Sequence, residues 1–274
     1  MRKRKHNRAR VLVISDLHAN STVAPWPADC PVQDGGRYEP NPFQAYLNEC
    51  WADLVEAAGR MGGPTLVING DLINGIHPRD GQVVSANASI QAAAADMLLR
   101  PLVAQCGKLY ITRGTEWHES KLSDDVERLA KGLGAVPNPA SGSYTWPKLL
   151  LEVGGKVISF AHHIGVSGVA TYEASVVLRE LLMEVLEYTR TYGQDAPALR
   201  LMVRSHRHRS IEIGAPPNLR ALITPGWQLK TAYVDAKAVN SMPHIGYTVV
   251  DDAGEDFAIT RRLYPLPLPH VEVA

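Results

Sequence analysis

The chain has little cysteine and no long apolar segment. Only 3 of its 274 residues are cysteines (Cys30, Cys50 and Cys106), and none of them forms a CxxC pair. Such widely spaced, odd-numbered thiols predict reduced side chains rather than a disulfide framework. No apolar stretch approaches the roughly 20 residues that a membrane span needs. No apolar segment follows the basic start, so we expect no secretory signal. These absences predict a cytoplasmic globular protein with no membrane contact.

Charge is balanced overall, with 28 basic and 28 acidic side chains, but it is unevenly distributed. The first ten residues carry 6 Lys or Arg and no acid. We expect residues 1–10 to form a disordered basic arm, because chain termini are seldom tied down. Contact of this arm with nucleic acid is the alternative. Residues 11–274 are long enough to bury a full core, and we predict that they form a single domain.

Strand-like apolar segments alternate with amphipathic segments in the first half of the chain. This alternation predicts βαβ units and a mainly parallel sheet. The second half is richer in strands, and Gly154-Gly155 marks a hairpin between two of them. Two sheets packed face to face with helices outside would fit this order. The expected strands are 10–15, 65–69, 108–112, 143–152, 156–161, 200–205, 209–213, 221–224, 245–251 and 256–262, and the expected helices are 43–60, 86–104, 119–132 and 171–190.

A long loop at 19–42 interrupts this alternation directly after the first strand. It holds 5 prolines and a Gly-Gly pair, and it shows no periodicity. A loop of this length is usually functional or disordered. We therefore expect either a rim over a site beside the first strand or a simple insertion.

Residues that can bind a metal follow five of the strand-like segments. Ends of neighbouring strands can bring such side chains together, and five cases in a chain with 10 His suggest one metal-dependent active site. The five segments run into Asp16-Leu17-His18, Gly70-Asp71, Arg113 to Glu119, His162-His163 and His206-Arg207-His208.

The types of these residues indicate the metal. Residues that are two positions apart on a strand point to the same side of it. Asp16 and His18 can therefore aim two ligands at one place, and so can His206 and His208. Imidazole nitrogen mixed with carboxylate oxygen suits Mn²⁺, Fe or Zn²⁺ better than Ca²⁺. The candidates exceed what one tetrahedral ion needs, which favours two metals sharing a carboxylate. The candidate ligands are Asp16, His18, Asp71, His162, His206 and His208.

The order of these residues resembles that of the calcineurin-like metallophosphoesterase superfamily. That family shows D-x-H, G-D, G-N-H-[D/E], a lone H and G-H-x-H in chain order. The resemblance covers about residues 11–208. The matching residues are Asp16-Leu17-His18, Gly70-Asp71, His162 and Ser205-His206-Arg207-His208, with an altered third motif.

The resemblance implies an α/β fold, a four-layer αββα sandwich in which two mixed sheets are flanked by helices. It implies that one metal takes Asp16, His18 and His208, that a second takes His162 and His206, and that Asp71 bridges the two. It further implies hydrolysis of a phosphate ester, with a phosphodiester favoured, by a metal-bridging hydroxide. Mn²⁺ is the expected ion in vitro, with Fe or Zn²⁺ as alternatives.

The third motif departs from the family pattern, since the chain reads GTEWHE from Gly114 to Glu119. It resembles phage-type and prophage-type members with G-T-x-x-H at this place. Glu116 is expected to replace the missing Asn as an oxygen ligand, with Thr115 as the second option. His118 is the expected proton donor. Arg113, beside this motif, is the expected phosphate-binding residue, and His163 stays open as an alternative to His162.

Two other functions compete with a general phosphodiesterase. The basic arm favours a nuclease or DNA-processing phosphodiesterase of phage origin. The altered third motif favours a binding scaffold that keeps the fold but has lost catalysis. The sequence leaves the natural substrate, the native metal pair and the oligomeric state open.

Overall fold

The structure, a computed structural model, describes residues 9–75, 81–119, 124–165, 172–237 and 242–267. Most of the basic arm, residues 1–8, lies outside these ranges, so the prediction that it is disordered is not addressed. In chain order the elements are β1 (Arg10–Ile14), α1 (Pro42–Met61), β2 (Thr65–Asn69), α2 (Ala88–Val103), β3 (Lys108–Thr112), α3 (Asp125–Gly132), β4 (Thr145–Trp146), β5 (Leu149–Val153), β6 (Lys156–Phe160), α4 (Glu173–Tyr192), β7 (Leu199–Arg204), β8 (Ile211–Ala215), β9 (Leu219–Ile223), α5 (Ala232–Lys237), β10 (Ile245–Asp252) and β11 (Phe257–Tyr264).

The strands form two mixed sheets. The first has the order β11-β10-β1-β2-β3-β4 and the second has the order β5-β6-β7-β9-β8. In the first sheet β1 to β4 run parallel, while β10 pairs antiparallel with β1 and β11. In the second sheet β6, β7 and β9 run parallel between two antiparallel edge strands. The predicted site residues directly follow the carboxyl ends of the parallel strands.

Alternating side chains on the strands separate the layers. Val11 and Val13 of β1 pack with Phe160 and Val203 of the second sheet, which makes the core between the sheets. The neighbouring residues on β1, such as Leu12, face the other way and join the core beneath α1, α2 and α3. A third cluster lies between α4 and the second sheet. This is the four-layer αββα sandwich, so the predicted fold class is confirmed.

The element boundaries follow local capping chemistry. Helix α1 begins at Pro42, one residue earlier than predicted, because Asn41 caps it and exchanges hydrogen bonds with Gln44. The helix predicted from 119 begins only at Asp125 within the described residues, and Glu119 instead lies in a turn. Helix α5 is too short to show a hydrophobic period, and it was not predicted.

The loop at 19–42 packs against α2 rather than extending into solvent. Trp26 is fully buried there with Cys30 and Ala94. Asn20 ties the loop to Ser85 by donating to its carbonyl over 2.9 Å and accepting from its amide over 2.7 Å. The loop therefore has a small core of its own.

No helix in the described part of the chain is long and apolar enough to cross a membrane.

A glycine in β10 gives a test of this fold. A Cβ at Gly246, whose φ is +153°, would lie 1.9 Å from the carbonyl oxygen of Arg262 on the paired strand. We expect Gly246→Ala to lower the free energy of unfolding by at least about 3 kcal/mol, because the backbone of β11 cannot yield. The measurement is urea unfolding followed by circular dichroism.

The matched control is Gly132→Ala in α3, where an added Cβ meets nothing within 4 Å. This change should be neutral or stabilising by up to about 1 kcal/mol, since alanine favours helix. Equal unfolding midpoints for the two variants would contradict the pairing of β10 with β11.

Candidate metal centre

Most of the candidate ligands lie just beyond strands, in turns with left-handed backbone. Strand β1 ends at Ile14 and strand β7 ends at Arg204, so the paired residues that follow are not on strands. The two residues of each pair do converge, but the prediction that strand alternation makes them converge was wrong. What directs the side chains is a positive φ, which non-glycine residues rarely adopt and which clusters at functional sites. The positive-φ candidates are Asp16 (53°), His18 (45°), Asp71 (52°), His206 (70°) and His208 (50°).

Three glycines leave room for the site side chains. A Cβ at Gly70 would lie 2.5 Å from the ring of His162, and one at Gly114 would lie 2.2 Å from Oδ1 of Asp71. A Cβ at Gly226 would lie 3.1 Å from the side chain of Asp16. The site thus depends on close approach of backbone from several segments.

The first ligand group consists of Asp16, His18 and His208. Nε2 of His208 lies 3.1 Å from Nε2 of His18 and 3.3 Å from Oδ1 of Asp16, and the latter two atoms are 3.9 Å apart. Ligand atoms of a tetrahedral ion with bonds of about 2.0–2.1 Å lie about 3.3 Å from one another. The spacing therefore fits one small divalent cation.

The second ligand group consists of Asp71, His162 and His206, whose ligand atoms all lie within 4.8 Å of one another. Nε2 of His162 is 3.0 Å from Oδ2 of Asp71. His163 is exposed and stacks on the ring of His206 at 5.1 Å between centroids. Of the two neighbouring histidines, the structure therefore brings His162 into the group.

Hydrogen bonds fix which ring nitrogen faces the site. His162 donates from Nδ1 to the carbonyl of Asn69 over 2.6 Å, which leaves the lone pair of Nε2 for a metal. Nε2 of His162 and Oδ1 of Asp16 are buried and lack a well-aligned hydrogen bond to any described residue, although Oδ2 of Asp71 and Nε2 of His208 lie 3.0 Å and 3.3 Å from them. Buried polar atoms rarely lack partners. Nitrogen and oxygen atoms that converge in this way fit a bound divalent cation.

The electrostatics of the site match this interpretation. Burial opposes ionisation, yet the facing imidazoles hold the pKa of Asp16 and of Asp71 well below its usual range. Burial likewise opposes charge on His162, but the two carboxylates raise its pKa to about 10. Burial and the neighbouring His162 lower the pKa of His206 to about 4. Protons on imidazoles balance the buried carboxylates here, and a cation can take over that role.

The third motif brings Thr115 and His118 to the site but leaves Glu116 outside. The Thr115 amide donates to Oδ1 of Asp71 over 2.7 Å, and its hydroxyl lies 3.1 Å from the same atom. Glu116 is exposed and belongs to none of the potential metal-binding groups among the described residues. The His118 ring meets that of His18 at 4.3 Å, and its Nδ1 donates to the carbonyl of Asn74 over 2.7 Å.

Sequence reasoning missed Glu119, and the prediction that Arg113 binds phosphate stays a prediction. Glu119 accepts hydrogen bonds from the amides of Gly114 (2.6 Å) and Leu72 (3.0 Å). Burial and the charge of Asp71 raise the pKa of Glu119 to about 7. The acidic residue that ends the family's third motif was the available signal. Arg113 is exposed and lies 3.3 Å from the hydroxyl of Thr145 on β4, not in the ligand groups.

By sequence, this chain matches no family model and no curated protein. Among solved structures it is similar to a dimetal phosphatase from Danio rerio, with a TM-score of 0.51 at 10% identity over 93% of this chain and 96% of that one. It is also similar to Vps29 from Chaetomium thermophilum (TM-score 0.44, 13% identity, 95% and 98% covered) and to a predicted phosphoesterase from Streptococcus pneumoniae (0.43, 10%, 94% and 94%). The likeness to the dimetal phosphatase supports the α/β sandwich fold described above.

The left-handed backbone predicts an inverted order of stability at His206. Because φ is +70° at His206, the His206→Gly variant should have a free energy of unfolding roughly 1 kcal/mol higher than the His206→Ala variant. The measurement is urea unfolding of chelator-stripped protein. The same pair of changes at Glu187, an exposed residue of α4, should give the usual order with alanine more stable by about 1 kcal/mol. Alanine being the more stable at both positions would contradict the backbone conformation at His206.

Proposed function

We propose that this protein is a phosphoesterase that uses two divalent metal ions to hydrolyse a phosphodiester. One observation carries the proposal: the two ligand groups described above adjoin through a shared carboxylate, Asp71, which with His18 and His118 also forms a third potential group. Oδ2 of Asp71 lies 3.9 Å from Nε2 of His18 in one group and 3.0 Å from Nε2 of His162 in the other. A carboxylate between two sets of imidazoles is what a dinuclear centre requires.

Each residue then has a stated task. Asp16, His18 and His208 would hold one ion and His162 and His206 the other, with Asp71 shared between them. Divalent ions held there would supply positive charge for phosphate oxygens and lower the pKa of a bound water. Their charge would outweigh that of the two carboxylates, so the occupied site would attract an anionic ester.

His118 transfers the proton to the leaving group. Its Nδ1 is engaged with the Asn74 carbonyl, so Nε2 is the nitrogen that faces the site. Its ring lies against that of His18, which places Nε2 next to the ligands. A protonated Nε2 can therefore reach the oxygen that departs from phosphorus.

Replacement of the shared carboxylate tests the proposal. Chelator-stripped protein should hydrolyse bis-p-nitrophenyl phosphate only after a metal is added, with Mn²⁺ tried first and Fe²⁺ and Zn²⁺ beside it. Asp71→Asn should bind fewer metal ions and lose activity by more than about 100-fold, since even an outer partner of a ligand contributes 10–100-fold. Asp29→Asn, on a side chain that is 83% exposed, is the control.

The same assay separates the competing functions. Faster turnover of p-nitrophenyl phosphate than of the diester would reassign the substrate as a monoester. Cleavage of DNA in the presence of metal would assign a nucleic-acid substrate, the second candidate, which the basic first ten residues favour. A protein that binds metal but hydrolyses none of these esters would be a scaffold.

The leaving group decides the role of His118. For a dialkyl phosphate, whose alkoxide leaves poorly, His118→Ala should lower kcat roughly 10²–10⁴-fold. For bis-p-nitrophenyl phosphate the loss should be small, because nitrophenolate leaves without a proton. Metal content, measured by mass spectrometry, should stay that of the unaltered protein. Equal losses for both esters would argue against proton transfer by His118.

A further inference from the structure

Five polar side chains at strand ends form one continuous hydrogen-bonded chain beneath the site. All are buried, and each lies in the last position of a strand or directly after it. The successive distances are 2.7 Å, 2.6 Å, 2.7 Å and 2.8 Å. The members, in order, are Thr112, Asn69, Ser205, Thr224 and Ser15.

The chain crosses between the two sheets twice. Thr112 and Asn69 end strands of the first sheet, and Ser15 follows β1 of that sheet. Ser205 and Thr224 follow β7 and β9 of the second sheet. The apolar cluster between the sheets gives non-directional contact. Hydrogen bonds prefer a fixed distance and angle, so these five groups restrict how the strand ends of one sheet meet those of the other.

The direction of donation is determined in the first half of the chain. The Thr112 hydroxyl donates to Oδ1 of Asn69, and Nδ2 of Asn69 donates to Ser205. Ser205 can then donate to Thr224 over 2.7 Å. The Thr224 hydroxyl has two acceptors within reach, Oγ of Ser15 at 2.8 Å and the carbonyl of Arg204 at 3.3 Å, and the Ser15 hydroxyl reaches the carbonyl of Pro225 over 3.1 Å. Linked hydrogen bonds of this kind polarise and strengthen one another.

Three of the five members lie within two residues of a candidate ligand. Ser15 precedes Asp16, and Ser205 precedes His206. Asn69 lies two residues before Asp71, and its backbone carbonyl also orients His162. Ser205 lies where the resembling family has the glycine of its fifth motif, G-H-x-H, so a side-chain hydroxyl at this position is a feature of the present chain.

We propose that this hydrogen-bonded chain is a positioning device that fixes the ligands supplied by one sheet against those supplied by the other. Its members touch neither metal nor substrate. They act through the ligands beside them, so the inference rests on the proposed dinuclear centre. Breaking one link should loosen the geometry of the metal site while leaving the fold and the ligands themselves in place.

Thr224→Val tests the device, because valine keeps the shape and removes the hydroxyl. Chelator-stripped protein is titrated with Co²⁺ by calorimetry, and the visible spectrum of the loaded protein is recorded. We expect binding at least tenfold weaker and an altered spectrum. The matched control is Thr224→Ser, which restores the hydroxyl and should restore both the affinity and the spectrum. Loss of affinity in both variants would reduce Thr224 to a packing role and overturn the proposal.

A double-mutant cycle with Ser205→Ala distinguishes a connected chain from independent contacts. In a connected chain the Ser205→Ala, Thr224→Val double variant should bind Co²⁺ about as weakly as the worse single variant. Losses that simply multiply would overturn the proposal, as would unchanged affinity in both single variants. If Thr224→Val fails to fold, Ser205→Ala alone gives the same comparison of affinity and spectrum.

The cobalt titration is independent of turnover. If the unaltered protein binds Co²⁺ but hydrolyses no phosphate ester, the proposed hydrolysis fails while the positioning proposal stands or falls on the spectra. If hydrolysis occurs and Thr224→Val leaves affinity and spectrum unchanged, only the positioning proposal fails.

Discussion

The site depends on one constraint. Two sheets that pack through apolar side chains must place charged side chains at the same point. The parallel strands of both sheets end at that point, so the fold brings the ligands near one another without further contacts. Packing of apolar side chains sets the distance between the sheets. Because the hydrophobic effect is non-directional, it does not fix the position of one strand end relative to another. Directional contacts add precision. The ion pair of Lys156 with Asp252 joins the sheets at the amino end of β6, and the hydrogen bonds of Asn69, Ser205 and Thr224 join them at the strand ends beside the site.

Assembly of this site opposes the stability of the fold. Five left-handed non-glycine residues together cost on the order of 5 kcal/mol, a large part of the 5–15 kcal/mol that a domain usually has. Two buried carboxylates add a desolvation cost, which the facing imidazoles more than offset, since the pKa of each carboxylate stays below its usual range. Substitutions that relieve the backbone would stabilise the chain and remove the ligands. A bound cation would compensate for the strained backbone.

The sequence predicted the fold class and the order of the motifs because apolar periodicity and strand-end residues are both local features. It did not predict how the ligands are aimed, since a left-handed turn at Asp16 or His206 leaves no mark on the residue type. Glu119 was assigned to a helix because an acid there looks like an ordinary first-turn residue. The link from Ser205 to Thr224 joins residues from different strands, and no spacing along the chain indicates it.

The altered third motif changes the metal ligands more than it changes the proton donor. Glu119 closes the turn by accepting from the Gly114 amide, so the two additional residues point into solvent. His118 therefore returns to the ring of His18 although it comes two positions late. What the family's asparagine would supply is an amide oxygen, and here the Thr115 hydroxyl lies beside Asp71 instead. A neutral hydroxyl binds a metal poorly, so under the proposed function the departure would fall on the coordination of the second ion rather than on proton transfer.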